Sequence, residues 1–292
     1  MNPLTHAQVA LDVLSHKKLS PQERDFLIVG SALPDVSNFG ISSEARTHSE
    51  GLQFFRALPK EYKYLGVGAI LHGETPHGLD YYTHHCFYDP HTRYTMYPHD
   101  GEEGYIAQKY EAISGILEKY PRKIGFLDRQ KLIHDLIEFS FEHLTARLHP
   151  KLPHELTEAL RRVSMGPSVL AFARHFDVTS RHVRRLRRIL SSRHVGTFFS
   201  NFATLEGTAH SIENFIFFRS LGEKRNQSHH GFLRHLAQFT RSSLGFLQVK
   251  LRDRTLVRIL DESVEVVQED YGSFLQSTTE KLRVMLKTHK IV

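Results

Sequence analysis

In KLIHDLIEFSFEHL, residues 131 to 144, Ile133, Ile137, Phe141 and Leu144 follow one another at intervals of four, four and three. That spacing returns apolar side chains to one face of an α-helix, and the stretch lacks the period-two alternation of a half-buried strand. The same spacing recurs in ALDVLSH (10–16), IAQKYEAISGILEKY (106–120) and LVRILDESVEVV (256–267). An all-α fold is therefore expected. Helices are predicted near 5–16, 21–30, 47–58, 62–72, 80–86, 103–120, 128–147, 153–163, 167–175, 179–192, 207–219, 231–248 and 254–288. HPKLPHE (149–155), with two prolines in a polar stretch, is the one plausible seam. It divides a histidine-dense part, 1–150, from a more basic helical extension, 151–292, that either packs on it or continues the same domain.

The chain has 292 residues and 40% hydrophobic content, enough to bury a sizeable core. It has no leader-like start and no apolar run approaching the roughly eighteen residues of a membrane span, so a cytoplasmic protein is expected. Its single cysteine, Cys86, rules out an internal disulfide framework and a Cys-rich zinc module. A bound metal would have to take nitrogen and oxygen ligands. Histidine supplies them: twelve of the 21 precede residue 150, and four of those fall in LHGETPHGLDYYTHH, 71–85.

That stretch follows LGVGAIL (65–71), apolar on all sides and so expected as a buried helix with His72 emerging at its end. A Gly-Thr-Pro loop then leads to Asp80, and His84 lies one helical turn beyond it. Within KLIHDLIE, His134 and Glu138 are also one turn apart, beside the buried stripe. THAQ (5–8) and THSE (47–50) have the capping-box pattern, which would make Thr5 and Thr47 N-caps and place His6 and His48 on inward faces of first turns. GSALPDVSNFG (30–40) reads as a helix stopped at Gly30 and a turn presenting Asp35.

In order, TH, GSALPDV, THSE, LGVGAILH, DYYTH and HDLIE resemble the zinc-dependent bacterial phospholipase C family, whose fold is shared with fungal single-strand nucleases. The resemblance covers about residues 4 to 145. It implies a multi-helical, phospholipase C-like metal-binding core with additional C-terminal helices, hydrolysis of phosphate esters, and two Zn2+ ions, at most three; His and carboxylate ligands also accept Mn2+ or Fe2+. By position, Asp35 and His48 match the carboxylate and imidazole ligands of one zinc. His72 or His77, with Asp80, would complete that site, since the family spaces this His and Asp more closely than His72 and Asp80. Asp80 would bridge to the zinc served by His6, and His84, His134 and Glu138 match the remaining one. Asp35 would orient the attacking water or take its proton, and the substrate would be a small phosphate ester or a nucleotide.

Two other readings compete. HD-type phosphohydrolases use a His-Asp doublet on a helix, which here would be His134 and Asp135. A non-catalytic helical protein would instead bind nucleic acid or another anionic surface through TSRHVRRLRRILSSRH (179–194). There Val183, Leu186 and Leu190 form an apolar stripe, and Arg181, Arg184, Arg185 and Arg188 crowd the other side. The formal net charge of +6 is compatible with phosphate-bearing partners.

Overall fold

The computed structural model describes residues 2–39, 41–85, 88–89, 94–95, 103–120, 129–223 and 254–291. Its α-helices are α1 (Pro3–Val13), α2 (Pro21–Ala32), α3 (Glu44–Ser49), α4 (Gly51–Ala57), α5 (Lys63–His72), α6 (Leu79–His84), α7 (Tyr105–Glu118), α8 (Arg129–Leu148), α9 (Leu152–Ser164), α10 (Pro167–His175), α11 (Ser180–Leu190), α12 (Arg193–Asn201), α13 (Leu205–Glu223), α14 (Thr255–Gln268) and α15 (Tyr271–Thr288). Tighter 3-10 turns cover Pro34–Phe39 and Lys60–Tyr62, and Tyr88–Asp89 pairs antiparallel with Tyr94–Thr95 in a minimal ribbon. The fold is all-α. No helix among the described residues is long and apolar enough to cross a membrane.

Helix α8 confirms the spacing that identified it: Ile133, Ile137, Phe141 and Leu144 are all buried. The burial goes further, because Asp135, Glu138, Ser140, Glu142 and His143 are buried as well. Enclosed by α1, α7, α13 and α14, α8 has no solvated face along much of its length. Its polar residues must therefore find partners inside the protein. The HPKLPHE seam is a tight corner in which His149 N donates to Thr145 O at 2.8 Å and α9 starts three residues later. Helix α9 packs on α2, and a single apolar cluster joins Leu4, Phe26 and Leu136 to Leu156, Phe172 and Leu260.

The most intimate helix pair is α2 with α5. Gly30 does not stop α2, which runs on to Ala32 just ahead of Pro34. Its role is close approach: a Cβ at Gly30 would lie 2.1 Å from Leu65 O, and one at Gly68 would lie 2.4 Å from Leu27 O. Backbone therefore meets backbone across this interface, which brings Ser31 and the end of α2 against His72.

Other expectations need correction. The helix expected over 47–58 is two helices, because the His48 carbonyl leaves the helical ladder to accept from Glu74 N at 2.8 Å and Thr75 N at 3.2 Å. The helix expected over 254–288 breaks before Asp270, which is held from α7 by Tyr105 Oη at 2.5 Å and Lys109 Nζ at 2.8 Å. Helix α12 was not anticipated, and the segment 231–248 lies outside the described residues. Neither Thr5 nor Thr47 is an N-cap. Both lie inside their helices, and the capping box that does form is Ser20 with Glu23, ahead of α2.

Candidate metal centre

Six elements converge on one buried polar cluster. Helix α1 brings His6, the Pro34–Phe39 turn Asp35, α3 His48, α5 His72, α6 Asp80 and His84, and α8 His134 and Glu138. In three groups the potential ligand atoms lie within 4.8 Å of one another: His6, His72 and Asp80; Asp35, His48 and His72; and His84, His134 and Glu138. Buried groups of this kind can hold metal ions.

Asp80 is the hub. Its Oδ2 is 3.1 Å from both His48 Nε2 and His72 Nε2, and its Oδ1 is 3.1 Å from His6 Nε2 and 3.7 Å from His84 Nδ1. Burial alone would raise its pKa, but His72, His6 and His48 hold it well below the usual carboxylate range. Burial also disfavours charge on His48, yet the hydrogen bond and charge of Asp80, helped by Asp35, raise that imidazole to about 9. His6 goes the other way: burial and the neighbouring His72 ring lower it to about 4 against the pull of Asp80.

Tautomers follow from the outer partners. His72 Nδ1 lies 2.7 Å from Ser31 O, and His48 Nδ1 lies 2.9 Å from Glu44 O. A carbonyl only accepts, so Nδ1 carries the proton in each ring and Nε2 holds the lone pair when the ring is neutral. Those two Nε2 atoms are 3.2 Å apart. The arrangement repeats at the second centre. His84 Nδ1 is 3.1 Å from Asp80 O, His134 Nδ1 is 3.1 Å from Asp135 Oδ1, and the two Nε2 atoms are 3.1 Å apart. Glu138 Oε1 is 3.2 Å from His84 Nε2. Opposed lone pairs at contact distance, flanked by carboxylates, require a positive charge, either a proton or a cation. Imidazoles whose other nitrogen is anchored to oxygen are how proteins present metal ligands. The donor set thus fits a divalent cation of the Zn2+, Mn2+ or Fe2+ kind.

At this second centre burial again opposes charge. The hydrogen bond and charge of Glu138 and the charge of Asp80 nevertheless raise His84, while surrounding positive charge, including that of His134 and His84, holds Glu138 well below the carboxylate range.

The loop between His72 and His77 decides which of the two is brought into the cluster. The excursion folds back on itself, with Gly78 N donating to Gly73 O at 2.8 Å while Glu74 and Thr75 dock on the His48 carbonyl. Asp80 thereby returns to His72, which is fully buried. His77 is exposed, its ring stacked on Tyr81 with centroids 3.5 Å apart, and it belongs to none of the three groups. The other expected site residues, His6, Asp35, His48, His72, Asp80, His84, His134 and Glu138, are brought together.

Helix α11 has most of the expected division: Val183, Leu186 and Leu190 are buried and Arg181, Arg184 and Arg188 exposed, while Arg185 is half-buried. It packs on α9 and α10, neither of which supplies a potential ligand. Sequence reasoning passed over Glu142, one turn beyond Glu138 and fully buried. Burial pushes its carboxyl up to about 8, although Thr5 and Leu4 donate to it. The available signal was a second carboxylate at helical spacing inside the apolar stripe of α8.

No family model matches the chain, and no curated protein or solved structure is significantly similar to it.

Proposed function

We propose that this chain is a metal-dependent hydrolase of phosphate esters, similar in its site to the zinc-dependent phospholipases C. The observation that carries the reading is the two pairs of tautomer-locked imidazoles, His48 with His72 and His84 with His134, each pair set beside a buried carboxylate. Cations bound there would neutralise a phosphoryl oxygen and make hydroxide available near neutral pH.

The protein's own groups divide the remaining work. His6, Asp35, His48, His72, Asp80, His84, His134 and Glu138 supply the ligand atoms. Ser31 O, Glu44 O and Asp135 fix the rings that present them. Asp35, on the His48 side, orients the attacking water and accepts its proton at a carboxylate oxygen. Asp80 faces four histidines and ties the two centres together electrostatically.

The doublet reading fits less well, because it needs Asp135 as a ligand. Asp135 Oδ1 instead engages His134 Nδ1, on the far side of the ring from the nitrogen that faces His84. Metal analysis of gently purified protein, with hydrolysis of a panel of phosphomonoesters and phosphodiesters, tests the proposal. Stoichiometric Zn2+, Mn2+ or Fe2+ and a metal-dependent esterase activity are expected. Glu138→Ala should lose an ion outright, and Asp135→Ala should weaken it by roughly ten- to a hundredfold, the usual effect of losing an outer partner. Wild-type protein without metal, or an Asp135→Ala variant more damaged than Glu138→Ala, would overturn it.

A further inference from the structure

Four of the five clustered histidines have an anchored Nδ1, but His6 does not. Its Nε2 is 3.1 Å from Asp80 Oδ1, but among the described residues its Nδ1 has no hydrogen-bond partner, although the residue is only 2% exposed. Its ring rests on His72 in a stack with centroids 3.8 Å apart. With Nδ1 unanchored, the direction in which the ring leaves α1 is set by its backbone, in the first turn of that helix.

That turn has no local cap. Asn2, at the N-cap position, makes no side-chain capping bond. The free N–H groups are instead taken by a residue 137 positions away: Glu142 Oε1 accepts from Thr5 N at 2.9 Å and from Thr5 Oγ1 at 3.1 Å, and Oε2 accepts from Leu4 N at 3.1 Å. Leu4, Thr5 and Glu142 are fully buried. One turn further along α8, Thr145 Oγ1 meets Thr5 Oγ1 at 2.8 Å and in turn bonds the Tyr271 hydroxyl. The oxygens of a carboxyl group at a helix N-terminus accept from the orphan donors of the first turn whether or not the group is ionised. Here it comes from the helix that also carries His134 and Glu138.

We infer that Glu142 is a positioning residue for the metal centre: it caps α1 from α8 and so sets the register at which His6 meets Asp80 and His72. The inference rests on the metal-binding reading above. Its reach is selective, since His84, His134 and Glu138 are held by α6 and α8 without α1.

The test is zinc binding to the full-length chain, measured by competition with a chromophoric chelator, for wild type, Glu142→Gln, His6→Ala and the double variant, with helix content checked by circular dichroism. Glu142→Gln should weaken the same ion as His6→Ala, by roughly ten- to a hundredfold as for other outer partners, and leave the ion of His84, His134 and Glu138 unchanged. The double variant should lose no more than His6→Ala alone, the non-additivity of residues acting through one another. A generally loosened fold would instead weaken every ion and would overturn the inference. So would wild-type affinity in Glu142→Gln, full additivity, or a His6→Ala variant that binds zinc normally. If Glu142→Gln does not fold, Thr5→Val, which removes one of the three contacts, replaces it. The His6 ion should then weaken several-fold, and unchanged binding refutes the role. Wild-type protein that binds no zinc overturns the metal reading itself, a different result from normal wild-type binding with an indifferent Glu142.

Discussion

Asp80→Asn removes one negative charge and almost no volume from the centre of the cluster, so its effects are electrostatic. In the metal-free protein the most sensitive reporter is His48, which Asp80 and Asp35 raise from 6.5 to about 9 against the effect of burial. That rise is worth roughly 3 kcal/mol in favour of the imidazolium. With the carboxylate gone, burial remains, and Asp35 and the Glu44 carbonyl are the remaining support, so His48 should titrate at or below 6.5. Histidine NMR titration of metal-stripped wild type and Asp80→Asn measures this directly. The same substitution removes the charge of the group 3.1 Å from three ring nitrogens, so zinc affinity should fall by more than the roughly hundredfold ceiling for an outer partner. A His48 that still titrates near 9 in Asp80→Asn, or a variant isolated with its full metal content, would refute the reasoning.

Because His48 is charged at pH 7 in the metal-free protein, zinc must displace its proton. Apparent zinc affinity should then rise about tenfold per pH unit from pH 7 to about 9 and flatten above. His6, at about 4, contributes no proton over this range. Calorimetry in buffers of different ionisation enthalpy reads the proton release, and a pH-independent affinity contradicts it. His77→Ala should leave metal content unchanged while His72→Ala abolishes one ion; the reverse would mean that the loop does not fold back as described. Gly68→Ala forces a Cβ to within 2.4 Å of the Leu27 carbonyl and should cost about 1–3 kcal/mol or more in thermal unfolding, since neither backbone can move aside.

What could be read from the chain alone followed the range of the interaction involved. The α8 stripe and the one-turn pairs Asp80–His84 and His134–Glu138 are local, set by helical periodicity, and all appear as expected. The fate of the Gly73–Gly78 loop depended on where the His48 carbonyl would be, 25 or more residues away, so spacing could not separate His72 from His77. Thr5 illustrates the same limit: the pattern THAQ satisfies a local capping rule, yet the cap is Glu142, 137 residues distant. Gly30 likewise carried the mark of a helix stop, whereas its missing Cβ serves the approach of α5. For Thr5 and Gly30 a short-range rule named the right residue and gave it the wrong partner.

Counting donor atoms instead of residues limits how the cluster can be loaded. His72 belongs to two of the three groups, but its Nδ1 is committed to the Ser31 carbonyl, so it has one lone pair and serves one ion. If that ion also takes Asp35 and His48, the His6 side retains only His6 and Asp80 among the described residues. If it takes His6 and Asp80 Oδ1, Asp35 and His48 keep Asp80 Oδ2, 3.1 Å from His48 Nε2, as a third donor. The centre of His84, His134 and Glu138 is complete in either arrangement. Structural and catalytic zinc sites use at least three protein ligands. When metal-stripped protein is titrated with zinc against a chelator, the first loading gives two tight ions and a markedly weaker third, and the second gives three ions with three protein donors each. Three ions of comparable affinity would show that His72 serves the His6 ion and that Asp80 divides its two oxygens between the neighbouring sites; unchanged His72 nitrogen shifts at Nδ1 would show the Ser31 anchor kept.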